Sequence, residues 1–132
     1  MPLVFVTLNK SKNAGLLNEE WMVLENTGPN VVNAQGCMLT IAKTGQRPRS
    51  LGTLDPGFVL KPQEKIRLVT GTPSKKAQGV PPTDKDIRNY HLFLREPVLA
   101  GSGTVIAIAH NQNELARAVF APDAKDGLAK AN

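Results

Sequence analysis

Hydrophobic side chains recur at every second position in short stretches of this chain, and turn residues separate the stretches. Alternation with a period of two is typical of β-strands that have one buried face. No window of a dozen residues shows the apolar stripe and the capping residues of an α-helix. The pattern predicts about eight short strands, over residues 4–8, 21–25, 36–41, 58–60, 65–70, 90–94, 104–109 and 115–120.

Two of these stretches make more detailed predictions. In residues 65–70 the alternation places Ile66 and Leu68 inward and Lys65 and Arg67 outward. Residues 104–109 are apolar on both faces, which indicates a central strand. Asn111-Gln-Asn113 follows and predicts a hairpin turn, because asparagine tolerates a positive φ.

Short strands at these intervals are typical of a β-sandwich or a β-barrel, so the predicted fold class is all-β. The length of 132 residues indicates one domain, which we place at residues 1–121. Residues 122–132 are rich in Ala, Lys and Asp and are expected to form a flexible tail. Residues 71–89 read as a long loop, and loops of this length tend to be functional or mobile.

The net charge of +5 is concentrated in one part of the chain. Residues 43–76 hold eight basic residues and two acidic ones, whereas the rest of the chain is close to neutral. Solvated lysine alone often produces such an excess, but a local basic patch also attracts phosphates or an acidic protein surface. The candidate binding patch consists of the basic residues expected in turns or loops: Lys43, Arg47, Arg49, Lys75 and Lys76.

Sequence motifs for catalysis, metals and cofactors are weak. One Cys and two His are too few for a structural zinc cluster, and one Cys forms no disulfide within the chain. Residues 52–57 begin like a phosphate-binding loop, but Phe58 stands where that loop needs Lys. A thiolate pair of Cys37 with His91 or His110 is conceivable, yet a Cys in an apolar strand usually acts as a small hydrophobe. We therefore expect no catalytic, cofactor or metal site, and no enzyme.

The longest apolar run is far shorter than the roughly 20 residues of a membrane span. The N-terminus lacks the charged region and the apolar core of a signal peptide. With one unpaired Cys, these features favour the cytoplasm.

Three segments together resemble the lamin tail domain, the small immunoglobulin-like sandwich of nuclear lamins that also occurs in bacterial proteins. Residues 21–28, WMVLENTG, are similar to the family's opening strand, which ends in Asn and a turn. Residues 58–71 are similar to its block of an apolar strand, a Leu-Lys turn and an alternating strand. Residues 103–109 and 113–119 match its closing hairpin.

The chain departs from the family at two positions. Cys37 stands where the family usually has a core Trp, a role that Trp21 would fill in part. Gln63 stands where the Leu-Lys turn has Gly, so a different turn conformation is expected there.

The resemblance implies a bacterial-type lamin tail domain that acts as an interaction or scaffolding module and binds a protein partner through loops or sheet edges. It also implies an alternative, because some members bind DNA through basic surface residues. No ligand-binding residue of the family can be carried over to this chain. Aromatic residues make up 5% of the sequence and mostly fall in predicted strands, so no stacking surface for bases is expected. Exposed sheet edges would also permit two copies to pair.

Overall fold

The computed structural model describes residues 2–43, 45–84, 86–99 and 101–129, and in this part of the chain the fold is all-β. Two short 3₁₀ helices, Leu17–Glu19 and Lys76–Gln78, interrupt the strands, and no α-helix is present among these residues. The ten strands are β1 Leu3–Asn9, β2 Trp21–Asn26, β3 Val32–Asn33, β4 Met38–Ala42, β5 Arg49–Thr53, β6 Val59–Leu60, β7 Lys65–Val69, β8 Ile87–His91, β9 Val105–His110 and β10 Asn113–Val119.

The strands form two four-stranded sheets and one two-stranded sheet. The first sheet has the order β1-β2-β7-β8, the second has the order β10-β9-β4-β5, and β3 pairs with β6. All pairs are antiparallel except β7 and β8, which run parallel. Edge strands β1 and β10 contact each other on one side of the molecule.

The core lies between the two larger sheets, as in a β-sandwich, and alternation along the strands builds it. Leu24 of β2 and Leu68 of β7 enter it from the first sheet, and Ile106 and Ile108 of β9 enter it from the second. All four side chains are at most 1% exposed. The predictions of an all-β fold and of a central strand near residues 104–109 are confirmed.

Strand number and strand position differ in part from the sequence expectation. The described residues form ten strands rather than eight, because β3 and β5 were not predicted. Four of the five residues of β5 are exposed and the fifth is half-buried, so this edge strand carries no apolar alternation. Strand β8 begins at Ile87 and ends at His91, three residues earlier than predicted. The hairpin turn is confirmed, with Asn111 at a φ of +57°.

A long crossover joins the parallel strands β7 and β8, as this arrangement requires. It spans residues 70–86 rather than 71–89, and its second half crosses the outer face of the first sheet. Arg67, predicted to point outward, is on the outer face but is only 2% exposed. Its guanidinium forms an ion pair with Asp84 and donates a hydrogen bond to Asn89 Oδ1 at 2.9 Å. The residue does leave the core face, but the crossover covers it.

The aromatic residues of the core are phenylalanines. Phe5, Phe58 and Phe120 are buried, whereas Trp21 is half-buried and lies outside the core cluster. The expectation that Trp21 replaces a core aromatic was wrong, because its position in β2 faces the outer side with Arg67. Cys37 is 3% exposed and belongs to the core, as expected of a structural Cys.

The turn before β7 keeps the conformation that glycine would supply. Gln63 has a φ of +68°, in the left-handed region that favours glycine. The expectation of a different turn conformation was therefore wrong. The Gln63 backbone N–H donates to the Asn26 carbonyl oxygen at 2.7 Å, and the buried Asn26 amide donates to the carbonyls of Asn30 and Leu60. These contacts hold the left-handed residue in place.

Residues 122–129, expected to be a flexible tail, turn back toward β1 and β10. Leu8 N–H donates to the Asp126 carbonyl at 2.8 Å, and Ala129 N–H donates to the Val119 carbonyl at 2.9 Å. Gly127 has a φ of +78°, and a Cβ atom there would collide with the Leu8 carbonyl. The remaining tail, residues 130–132, lies outside the described residues. No helix in the described part of the chain has the length and apolar character needed to cross a membrane.

Candidate functional site

Loops from both sheets meet at one end of the sandwich. In the first sheet Asn9, Trp21, Val69 and His91 are successive cross-strand neighbours, so the segments before and after them leave at the same end. Lys43, which follows β4 of the second sheet, lines one groove together with Lys10 and Lys12 of the β1–β2 loop. We call this the loop end, and it comprises residues 10–20, 43, 45–48, 70–79 and 92–99.

The loop end is strongly basic. Its loops and the first residue of β5 carry eight exposed cationic side chains, whereas Glu19 is half-buried, Glu20 is buried and Glu96 is exposed. The ion pairs among the described residues use Arg67, Arg88 and Arg117, so none of these eight cations is neutralised by one. The eight are Lys10, Lys12, Lys43, Arg47, Arg49, Lys75, Lys76 and Arg95.

A groove of about 580 Å³ opens at the centre of this end. Lys10, Lys12 and Lys43 line it from two different loops, and Glu96 lines it from a third. The three ammonium groups are exposed, so they can contact an anionic group that lies in the groove. The positive potential of such a concave surface attracts polyanions.

Glu20 fixes the relative position of three loops beneath the groove. Its side chain is 1% exposed, and its carboxylate accepts hydrogen bonds from the backbone N–H groups of Val98 at 2.6 Å and Leu99 at 3.1 Å. The Thr70 hydroxyl donates a third bond at 2.7 Å. Buried carboxylates need such hydrogen-bond partners. The Glu20 carboxylate therefore holds the β1–β2 loop, Thr70 and residues 98–99 together.

Asn18 positions the part of the crossover that carries Lys75 and Lys76. Its buried amide donates to the carbonyl oxygens of Thr72 at 3.0 Å and Gly79 at 3.1 Å. These bonds hold both ends of the segment that contains the second 3₁₀ helix. The two lysines therefore project from an anchored segment rather than from a free loop.

Two smaller depressions lie between β5 and residues 90–96, at the sheet edges away from β1 and β10. Arg49, Leu51, Leu94 and Arg95 line one of them, and Leu51, Asp55 and Phe93 line the other. Phe93 is 63% exposed, an unusual state for a large aromatic side chain. Phe93 was predicted to lie in a strand, and the structure places it just after β8 with its ring in solvent.

The five residues predicted from sequence are all exposed and at the loop end, but the fold divides the basic window. Lys61 and Lys65 lie at the opposite end, beside the turn before β7, and Arg67 is buried. Two placements also differ from the expectation of turns and loops. Arg49 begins strand β5 and Lys76 begins a 3₁₀ helix.

Three loop-end cations were missed because the sequence window excluded them: Lys10, Lys12 and Arg95. The signal was available for Lys10 and Lys12, which come directly after the first predicted strand. A cation that directly follows a strand lies at the end of the sheet where that strand ends, even when it is far in sequence from the other cations at that end. The sequence does not show which strand ends lie together in the fold, so these cations could not be grouped with the others.

The structure does not bring the candidate catalytic residues Cys37, His91 and His110 together as a reactive pair. Burial raises the pKa of the Cys37 thiol, which disfavours the reactive thiolate. His91 Nδ1 lies 3.1 Å from the Gly71 carbonyl, where it donates a hydrogen bond because a carbonyl only accepts. His110 is exposed at the end of β9. Among the described residues no group of three or more His, Cys, Asp or Glu is placed to hold a metal ion.

No protein-family model matches the chain, and a search of curated proteins finds none that is similar to it. The arrangement of the loop end therefore has to indicate the function.

Proposed function

We propose that the protein is a non-catalytic binding module whose loop end contacts the phosphate backbone of a nucleic acid. One observation carries the proposal: eight exposed cations from separate loops gather at one end, and none has an ion-pair partner among the described residues. Phosphates along a nucleic acid match a spread of separate cations better than a single small anion does.

Binding of this kind is weakly sequence-specific. The described residues contain no α-helix that would enter a major groove and read base edges. Lysine side chains, which make up five of the eight cations, bind phosphate as flexible point charges. Counterion release then dominates the affinity and makes it depend strongly on salt.

We further infer that the chain is a bacterial-type lamin tail domain with an immunoglobulin-like sandwich. The order of the similar segments and their place in the all-β fold support this inference. Residues 21–28 supply β2 and the turn organised by Asn26, and residues 103–119 supply the β9–β10 hairpin. A scaffolding role agrees with that family, and a nucleic-acid ligand agrees with its DNA-binding members.

Fluorescence anisotropy of a labelled random-sequence DNA duplex tests the proposal, with protein titrated at about 50 and 200 mM salt. We expect micromolar binding at the lower salt and a loss of at least tenfold at the higher salt, because several phosphate contacts release counterions. Absence of binding at the lower salt would contradict the proposal.

A protein partner is the second candidate, and one feature of the crossover favours it. Val80 is 77% exposed, although the crossover is anchored on both sides of it by Asn18 and Arg67. An apolar side chain on a fixed segment suits a protein contact. Removing the whole loop would also remove Asp84 and its bond to Arg67, so a point substitution is the cleaner test.

Val80→Asp should abolish capture of such a partner. Val31→Asp is the matched control, because Val31 is 58% exposed in the turn between β2 and β3, at the opposite end. Equal capture by the two variants and the unaltered protein would exclude this surface.

A further inference from the structure

We propose that Phe93 is a stacking surface for a nucleic-acid base, so that the protein prefers single-stranded nucleic acid to duplex. This inference rests on the proposed function and names its ligand class more narrowly. It comes from the conformation of Phe93 and from the cations beside it.

The backbone presents the Phe93 ring to solvent and holds it there. Its φ of +55° is one that bulky residues rarely adopt. The residues on both sides are fixed, because Leu92 N–H donates to the Val69 carbonyl at 2.8 Å and Leu94 N–H donates to the Thr70 carbonyl at 2.9 Å. A strained residue held by its surroundings, with an apolar ring 63% exposed, indicates a role in binding.

Two cations lie near this ring. Arg95 follows Phe93 by two residues, and Leu51 lines both the depression beside Phe93, which also contains Asp55, and the neighbouring depression beside Arg49 and Arg95. Both arginines are exposed, and Glu96 also lines their depression. An aromatic face next to guanidinium groups is the combination that binds single strands, since the base stacks while the phosphate contacts the cations.

A duplex leaves the ring unused, because its bases are already stacked on each other. A peptide with only carboxylate side chains would occupy the cations but would offer no aromatic ring to stack on Phe93. The ring therefore distinguishes single strands from both alternatives, whereas the eight cations of the loop end do not.

Anisotropy of a labelled oligothymidine, compared with the labelled duplex at about 50 mM salt, tests the inference. Phe93→Ala should weaken oligothymidine binding by about 5- to 150-fold, the range for loss of one stacked base. Its duplex binding should stay within about twofold of the unaltered protein. Phe93→Tyr should restore the single-strand affinity, and Val31→Ala, which removes an exposed apolar side chain at the opposite end of the sandwich, should leave it unchanged.

The outcomes separate this inference from the proposed function. If Phe93→Ala changes neither duplex affinity nor oligothymidine affinity, the stacking role is wrong and binding to the phosphate backbone is still supported. Equal losses on both ligands would overturn the single-strand preference. A polyglutamate peptide can be used as a competitor. If it displaces oligothymidine equally well from Phe93→Ala and from the unaltered protein, the cations alone select the ligand and the inference is wrong.

Phe93→Trp supplies a second readout that does not depend on affinity. Stacking of a base should quench the added indole emission beyond any change seen for Trp21 in the unaltered protein. Binding without additional quenching would contradict the proposed contact.

Discussion

The guanidinium carbon of Arg67 lies 4.9 Å from the centre of the Trp21 ring, on the outer face of the first sheet. The two residues are on neighbouring strands β2 and β7, and the second half of the crossover covers Arg67. The cation–π contact links strands β2 and β7, and the ion pair of Arg67 with Asp84 joins the crossover to the sheet. Arg67 therefore connects β2 with the segment that leads into the parallel strand β8.

Arg67→Ala should lower the free energy of unfolding by about 2–4 kcal/mol, because it removes a buried side chain that packs on Trp21 and bonds the crossover. Asp84→Asn should cost less than about 1 kcal/mol, since Asp84 is 58% exposed and its charge is screened by solvent. Urea denaturation measures both. Equal losses would show that the ion pair, rather than the packing of Arg67, holds the crossover.

Ile106→Ala should destabilise the protein by about 2–5 kcal/mol, since Ile106 is fully buried in central strand β9. Val105 on the same strand is half-buried and provides the control, so Val105→Ala should cost less. A loss below about half a kcal/mol for Ile106→Ala in denaturant titration would contradict the placement of this side chain in the core.

Gln63→Gly should stabilise the protein slightly, by up to about 1 kcal/mol. The gain arises because glycine adopts a positive φ without steric cost, and it is offset by the greater freedom of glycine in the unfolded chain. Gln63→Ala keeps the steric cost and should not stabilise. Thermal unfolding of the three proteins decides the point, and a loss of stability in Gln63→Gly would argue against the left-handed turn.

Cys37 should react slowly with iodoacetamide in the folded protein and quickly after unfolding, because burial raises the pKa of its thiol. The folded state therefore keeps this proton to a higher pH than the unfolded chain does. Stability contributed by the protonated thiol is complete below the unfolded pKa and is lost as the pH rises through the folded pKa.

Cys37→Ala should accordingly flatten the decline of stability at alkaline pH. Part of the decline should remain, because burial also raises the pKa of Tyr90. An unchanged alkaline decline in Cys37→Ala, or rapid labelling of the folded protein, would contradict the structural role of the thiol.

Local alternation was enough to predict the inward residues Ile66 and Leu68 of β7, which both belong to the core. It placed Arg67 correctly on the outer face but did not show that this face is covered, because the covering contacts come from Pro82 and Asp84, 15 and 17 residues further along the chain. The core role of Trp21 was expected from the family resemblance and not from alternation, and Trp21 lies half-buried on the outer face beside Arg67. Periodicity identifies the two faces of a strand and does not say what packs on each.

The candidate site could be predicted only in part for a similar reason. Lys43 and Lys75 were identified from the sequence as loop cations. Their location at the same end of the sandwich depends on which strands pair, and the sequence does not show that pairing. The exposure of Phe93 depends on two backbone hydrogen bonds to Val69 and Thr70 that stop the residue from continuing β8.

The central claim is that the loop end binds polyanions, and the salt dependence of duplex binding by matched lysine variants tests it most directly. Lys43→Ala and Lys75→Ala remove exposed cations from the loop end, and Lys61→Ala removes one from the opposite end. All three change the net charge equally. We expect the slope of log affinity against log salt to fall by about 1 for each loop-end variant and to stay unchanged for Lys61→Ala. Equal slopes in all three variants would contradict the claim.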